Sequence, residues 1–159
     1  MSSKSVWLLV PLLLCVAAAA SAQTIAIERL TYGVRVGVSA DPTQFVFGGH
    51  LETRPLTRHI TFRPNLEIGL GDRVSTVAAN FEFAYWIPIS SRPVRLYVGG
   101  GPALVIHDFH DDHPNGSDTD VGGGFNLMAG LQHRRGLFGE VKVGFVDSPS
   151  FKFTVGYVF

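Results

Sequence analysis

From residue 150 to the end of the chain, hydrophobicity alternates with a period of two. Phe151, Phe153, Val155, Tyr157 and Phe159 fall on one side of an extended segment, and Lys152, Thr154, Gly156 and Val158 on the other. Successive side chains of a strand point to opposite faces, so this pattern fits a strand with one apolar, mostly aromatic wall and one small or polar wall. A helix would scatter the same aromatics around its circumference. Reading the chain for this period predicts eight strands, at 30–39, 44–52, 59–70, 74–87, 94–107, 122–132, 137–146 and 151–159. Each is near the ~9 to 11 residues that a tilted strand needs to cross a bilayer. No long stretch of helical period lies beyond the N-terminal segment. The 18 glycines and 9 prolines punctuate the chain at short intervals, as in an all-β protein.

The two faces differ consistently. One carries Leu30, Tyr32, Val34, Val36, Val38, then Phe45, Phe47, Leu51, Ile60, Phe62, Leu66, Ile68, Val77, Phe81, Phe83 and Tyr85, and continues in this way through Val141, Val143 and Phe145. Of the phenylalanines, only Phe109 and Phe138 lie off it. The other face carries Arg35, Glu52, Arg63, Glu67, Glu82, Arg95, Glu140, Lys142 and Lys152, with His50, Asn65, Asn80, Asn126 and Gln132. It also carries Gly33, Gly37, Gly48, Gly69, Gly99, Gly101, Gly124, Gly130, Gly144 and Gly156. Periodicity alone does not say which face is inside, because a soluble barrel with apolar residues inward alternates in the same way. The glycines favour the polar face as the interior. Glycine weakens a strand on an open surface, whereas the crowded axis of an eight-stranded barrel needs small residues to make room for long charged ones. The expected fold is therefore all-β: an eight-stranded antiparallel up-and-down transmembrane β-barrel with a polar, plugged lumen.

The inward charges number five basic and four acidic, close to balance. In so narrow an interior they must pair or bear a desolvation cost of several kcal/mol per ion. This favours a structural salt-bridge network over a wide pore. A tight connector around Asp72 makes Arg63 and Glu82 cross-strand neighbours, so they are expected to pair, with Arg95 joining them and stacking on Trp86. Pro64 and Pro102 fall inside strands, and each removes a ladder donor where a closed barrel has no edge to shelter it. A bulge or a strand limit is expected at each.

The N-terminus reads as an export signal. Lys4 precedes an apolar run over 6–20, and Ala20-Ser21-Ala22 supplies small residues ahead of a cleavage point. Residues 1–22 are expected to be removed, leaving 23–159 as a single barrel domain. The run of about 15 residues is short for a membrane helix, and Leu14 is bulky for a lipoprotein signal at Cys15. Cys15 is the only cysteine, so no disulfide framework is expected. Formal net charge is zero, which speaks against nucleic acid as a partner.

With both ends of the barrel domain on the periplasmic side, the connectors at 39–43, 71–73, 108–121 and 147–150 lie at the external end, and those at 53–58, 88–93 and 133–136 at the periplasmic end. The longest falls outside, as outer-membrane barrels require. All the aspartates (Asp41, Asp72, Asp108, Asp111, Asp112, Asp118, Asp120, Asp147) lie at the external end, while Arg54, Arg58, Arg92, Arg134 and Arg135 lie at the periplasmic end. The segment 107–113 is the one concentrated piece of chemistry. His107, His110, Asp111, Asp112 and His113 are weak candidates for a divalent metal, since imidazole and carboxylate suit zinc, nickel or copper. Spacing in a loop constrains geometry poorly, so no firm metal, cofactor or catalytic residue is assigned.

An apolar closing strand ending in Phe159, with the Gly-rich polar inner face and the connector lengths, resembles the small outer-membrane barrels of the OmpA, OmpX and opacity type. The resemblance spans 23–159 and brings no functional motif. It implies a bacterial outer-membrane location, outer-membrane lipids and lipopolysaccharide as surroundings, recognition of 151–159 by the barrel-assembly machinery, and a monomer. No peptidoglycan-binding domain follows the barrel in this sequence, so anchoring through one is not expected. The expected function is non-enzymatic: envelope structure, or surface interaction through the external loop 107–121. The alternatives are a narrow or gated pore for small solutes and a lipid A-modifying enzyme, for which no motif is found.

Overall fold

The computed structural model describes residues 30–89, 93–110 and 117–159. Residues 1–22, read as an export signal, lie outside them, as do Arg92, Asp111, Asp112 and His113. Eight strands form one closed, antiparallel, up-and-down barrel: β1 (Thr31–Ala40), β2 (Gln44–Glu52), β3 (Ile60–Leu70), β4 (Val74–Trp86), β5 (Val94–His110), β6 (Ser117–His133), β7 (Leu137–Val146) and β8 (Phe151–Val158). Closure joins β8 to β1 from Gly33↔Val158 to Ala40↔Phe151. Past the last rung, Phe159 donates its N–H to the Tyr32 carbonyl at 2.9 Å, and its ring packs on Tyr32 and Tyr157 at 5.2 and 5.1 Å. The terminal aromatic thus pins the seam of the barrel.

The alternation settles which face is inside. Phe81 and Val143 on the outer wall are 47% and 44% exposed, while the adjacent Glu82 and Lys142 are 0% and 1% exposed. That is the reverse of a soluble barrel. The inward glycines make room, as at Gly130, where a Cβ would strike the Tyr97 ring, and at Gly156, where it would strike Phe138.

Two expectations about strands are corrected. β5 and β6 do not stop at residues 107 and 122. They stay paired through His107↔Asp120 and Phe109↔Asp118 to His110↔Ser117, so most of the expected loop 108–121 is hairpin. Polar residues in an antiparallel hairpin satisfy their own backbone, so loss of apolar alternation does not end the strand. The register explains why this hairpin stands clear. Following it from Tyr157 through Val34, Gly49, Leu66, Ala79 and Leu104 arrives at Gly123, past the last β6–β7 rung at Gly124↔Val146. This stagger is what closing a tilted sheet imposes.

Neither proline makes a bulge or a strand limit. Pairing stays in constant register on both sides of each, with Pro64 opposite Phe81 on β4 and Pro102 opposite Phe125 on β6. Each ring turns its missing donor to one neighbour only. The Thr53 N–H to Phe62 carbonyl bond shows that Phe62, and hence Pro64 two residues on, faces β2. Likewise the Ile87 N–H to Leu96 carbonyl bond puts Pro102 toward β4. The ladders lapse at these places, between β2 and β3 beyond His50↔Asn65, and between β4 and β5 at Phe81 and Glu82. A rung is lost, and the count of residues is not changed.

Candidate functional site

The lumen is the chemical centre. Glu140 on β7 receives Arg35 Nη1 at 2.8 Å, Arg63 Nη1 at 3.3 Å and the Tyr97 hydroxyl at 2.6 Å, with Lys142 Nζ at 3.6 Å. Glu67 on β3 meets Arg35 at 3.2 Å, Lys142 at 3.0 Å and also Lys152. Lys142 reaches Glu82 at 2.8 Å, and Arg63 Nε lies 3.5 Å from Glu52. The structure thus brings eight of the nine inward charges into one buried network of four cations and four carboxylates. Arg95 stands apart, exposed at the mouth where β1 begins and β8 ends.

The expected Arg63–Glu82 pair does not form. The two are opposite in register, but Arg63 turns to Glu140 and Glu52, and Glu82 to Lys142 and Asn65. Across the narrow lumen, opposite walls are within reach of long side chains, so the best partner need not be the neighbour on the sheet. Arg95 does stack on Trp86, 4.4 Å from the ring centroid.

That stack is the first step of a column that sequence reading did not find. Trp86 packs on Tyr97 at 4.9 Å, Arg63 lies over Tyr97 at 4.6 Å and 5.8 Å from the Phe138 centroid, and Arg35 lies 5.6 Å from Phe138. Cations and aromatic faces therefore succeed one another down the lumen. Tyr97 was hidden between Leu96 and Val98 in an apolar run, although strict alternation from Arg95 places it inward. His50 sits beside the column, 3.3 Å from Arg63 Nη2 and edge-on to Phe138. Because a guanidinium only donates, His50 accepts at Nε2 and carries its proton on Nδ1.

An amide relay completes the plug. Asn126 donates to Asn80, Asn80 to Asn65, and Asn65 to Glu82, each at 2.7 Å. At the far mouth Gln44 Nε2 donates to the Val74 carbonyl and to Thr76 Oγ1 at 2.8 and 2.9 Å. Thr76 Oγ1 lies 3.0 Å from His107 Nδ1, and His107 Nε2 lies 3.2 Å from the Asp147 carbonyl. That carbonyl can only accept, so His107 donates from Nε2, and Nδ1 shares the hydrogen bond with the threonine hydroxyl. Both nitrogens of the one metal candidate whose side chain is described are thus engaged in tying strands together. His110 ends β5, while Asp111, Asp112 and His113 lie outside the described residues. Among the described residues no cluster of three potential metal ligands occurs.

No protein-family model matches the sequence, and no curated protein matches it. Solved structures do match the fold. The N-terminal β-barrel domain of Pseudomonas aeruginosa OprF superposes with a TM-score of 0.61 at 13% identity, covering 82% of this chain and 96% of that one. Neisserial surface protein A, NspA, gives 0.59 at 10% identity, covering 81% and 91%. The fold is that of the small outer-membrane barrels. The longest hairpin, β5–β6, rises at the end opposite the one where β1 begins and β8 ends, but the difference in connector length expected from the sequence is not seen: 53–59 and 87–93, at the end carrying the strand termini, are longer than 41–43, 71–73, 111–116 or 147–150, because strand pairing takes up most of 108–121. On its β7 side, 117–123 extends past the last β7 rung, about 20 Å of strand at ~3.3 Å per residue.

Proposed function

We propose that this chain is a non-enzymatic integral protein of the bacterial outer membrane, with a sealed barrel that carries its function on the external β5–β6 hairpin. The observation that carries the reading is the inverted build: an apolar wall outside, and inside it a network in which four cations and four carboxylates neutralise one another. Outward apolar residues need a lipid surrounding. Long charged side chains that pair across the lumen occupy it, which speaks against solute passage. Function then falls to what stands clear of the membrane, and the hairpin is the largest such element. Its flanks carry Asp108, Asp118 and Asp120, and Asp41, Asp72 and Asp147 lie at the same end. Divalent cations bridging to lipopolysaccharide phosphates, or a basic partner, suit this surface.

Two measurements test the proposal. Purified barrel in planar bilayers is expected to show no discrete conductance steps. Cells carrying the chain with 109–118 replaced by a two-residue Asn-Gly turn are expected to keep the barrel in the outer membrane, because the β5–β6 ladder below is long enough to hold register. They are expected to lose surface binding or cation-dependent envelope resistance. Steady conductance would overturn the sealed lumen, and unchanged surface properties would remove the role of the hairpin.

A further inference from the structure

The end of the barrel opposite the hairpin carries a cleft that the sealed lumen does not use. It encloses about 340 Å³ between the β2–β3 and β4–β5 connections, and Glu52, Arg58, Trp86, Arg95, Ile87 and Ile89 are among its walls. Arg58 and Arg95 are exposed, and Arg95 is held in place by its stack on Trp86. Glu52 is the acid of this mouth. It is 9% exposed, and among the described residues its one ionic contact is the long one, 3.5 Å, between its buried Oε2 and Arg63 Nε. A carboxylate held by one long contact has acceptor capacity left over, and Glu52 forms part of the cleft wall from which a donor can approach. The wall of the cleft toward the outside of the barrel is apolar, with Ile87 and Ile89 exposed and Leu56 exposed on the neighbouring connection.

We infer that this cleft is a binding site for a zwitterionic phospholipid headgroup of the phosphoethanolamine type. The phosphate lies against Arg58 and Arg95, and the ammonium donates to Glu52. Guanidinium groups match phosphate by charge-assisted hydrogen bonds, and an ammonium brings a further donor to Glu52. A purely anionic headgroup would satisfy the arginines and leave Glu52 with only its long contact to Arg63. A trimethylammonium headgroup would bring the charge without an N–H. The apolar rim places the acyl chains along the outer wall, which commits the site to a lipid and not to a free phosphate ester. The inference rests on the barrel lying in a bilayer.

The test uses the folded barrel in detergent, titrated with short-chain phosphatidylethanolamine, phosphatidylglycerol and phosphatidylcholine, and with free phosphoethanolamine as the soluble arm, while heat-modifiability reports the fold. Saturable one-to-one binding of the phosphatidylethanolamine is expected, at least tenfold tighter than either other lipid or the free ester, ten being about 1.4 kcal/mol. Glu52→Gln should abolish the preference over phosphatidylglycerol, and Arg58→Gln, on an exposed connection, should weaken every phospholipid. Equal affinity for the three lipids, equal binding of the free ester, or an unchanged preference in Glu52→Gln would overturn the site. A barrel that remains heat-modifiable and detergent-dependent in those cases leaves the membrane reading standing. A chain soluble and folded without detergent would remove both.

Discussion

Arg63 and Glu82 stand directly opposite each other on β3 and β4, both buried in the lumen, and each forms its ion pairs elsewhere. Their partners lie on other strands, so the interior is organised across the barrel axis and not along the sheet. Glu140 is where this crossing converges, since it holds Arg35, Arg63, Lys142 and Tyr97 together.

Glu140→Ala should therefore be the most damaging single change to the network. It leaves Arg35 and Arg63 short of a counter-charge in a narrow interior, and breaking a buried pair from one side costs about 3–5 kcal/mol. Glu52→Ala should cost clearly less, because Glu52 sits at the mouth with a single contact at 3.5 Å. Urea unfolding in lipid vesicles measures both, and equal losses would show that Glu140 is no hub.

Tyr97 depends on the absence of a side chain at Gly130, where a Cβ would meet its ring. Gly130→Ala should push Tyr97 off Glu140 and cost about 1–3 kcal/mol by overpacking. Tyr97→Phe keeps the stack on Trp86 and loses only the hydroxyl, so its cost of about 1.5–3 kcal/mol isolates the hydrogen bond to the carboxylate. If Gly130→Ala were neutral in the same unfolding assay, the lumen would have slack that the packing does not show.

On the outer wall, Val143→Arg puts a charge where the strand faces lipid, at an expected cost of about 2–4 kcal/mol if it lies at the bilayer midplane. The neighbouring Lys142 is buried and paired inside, so the two positions separate the faces in one assay. A Val143→Arg barrel that folds as well in vesicles as the parent would contradict the lipid-facing assignment.

Pro64→Ala and Pro102→Ala each return a ladder donor in constant register. The regained hydrogen bond contributes about 1 kcal/mol in water, and an unsatisfied carbonyl facing hydrocarbon costs several. The entropy that proline removes from the unfolded chain is worth only about 0.4–1 kcal/mol, so net stabilisation is expected for both. Amide exchange should slow around Leu51 and Phe81, and destabilisation by either change would mean the lapse in pairing has another cause.

Much of this architecture is written in local pattern. A period of two, repeated through Phe81-Glu82-Phe83 or Val141-Lys142-Val143, assigns every side chain to a wall wherever strand geometry holds. The inward glycines, set against long charged residues, identify the wall that must be crowded. Strand number, faces and the inside-out arrangement follow from those two signals, because both are properties of consecutive residues. Tertiary structure alone decided the rest. Which carboxylate Arg63 chooses depends on distances across the lumen, which the closure of the sheet sets. The height of the β5–β6 hairpin depends on the stagger that closure imposes, and polar residues there pair as well as apolar ones. Tyr97 and Phe138 become part of a cation and aromatic column only when strands far apart in sequence face each other, and Glu52 is left with one long contact to Arg63 for the same reason. Local sequence sets the direction of a side chain, and only the closed barrel sets what it meets.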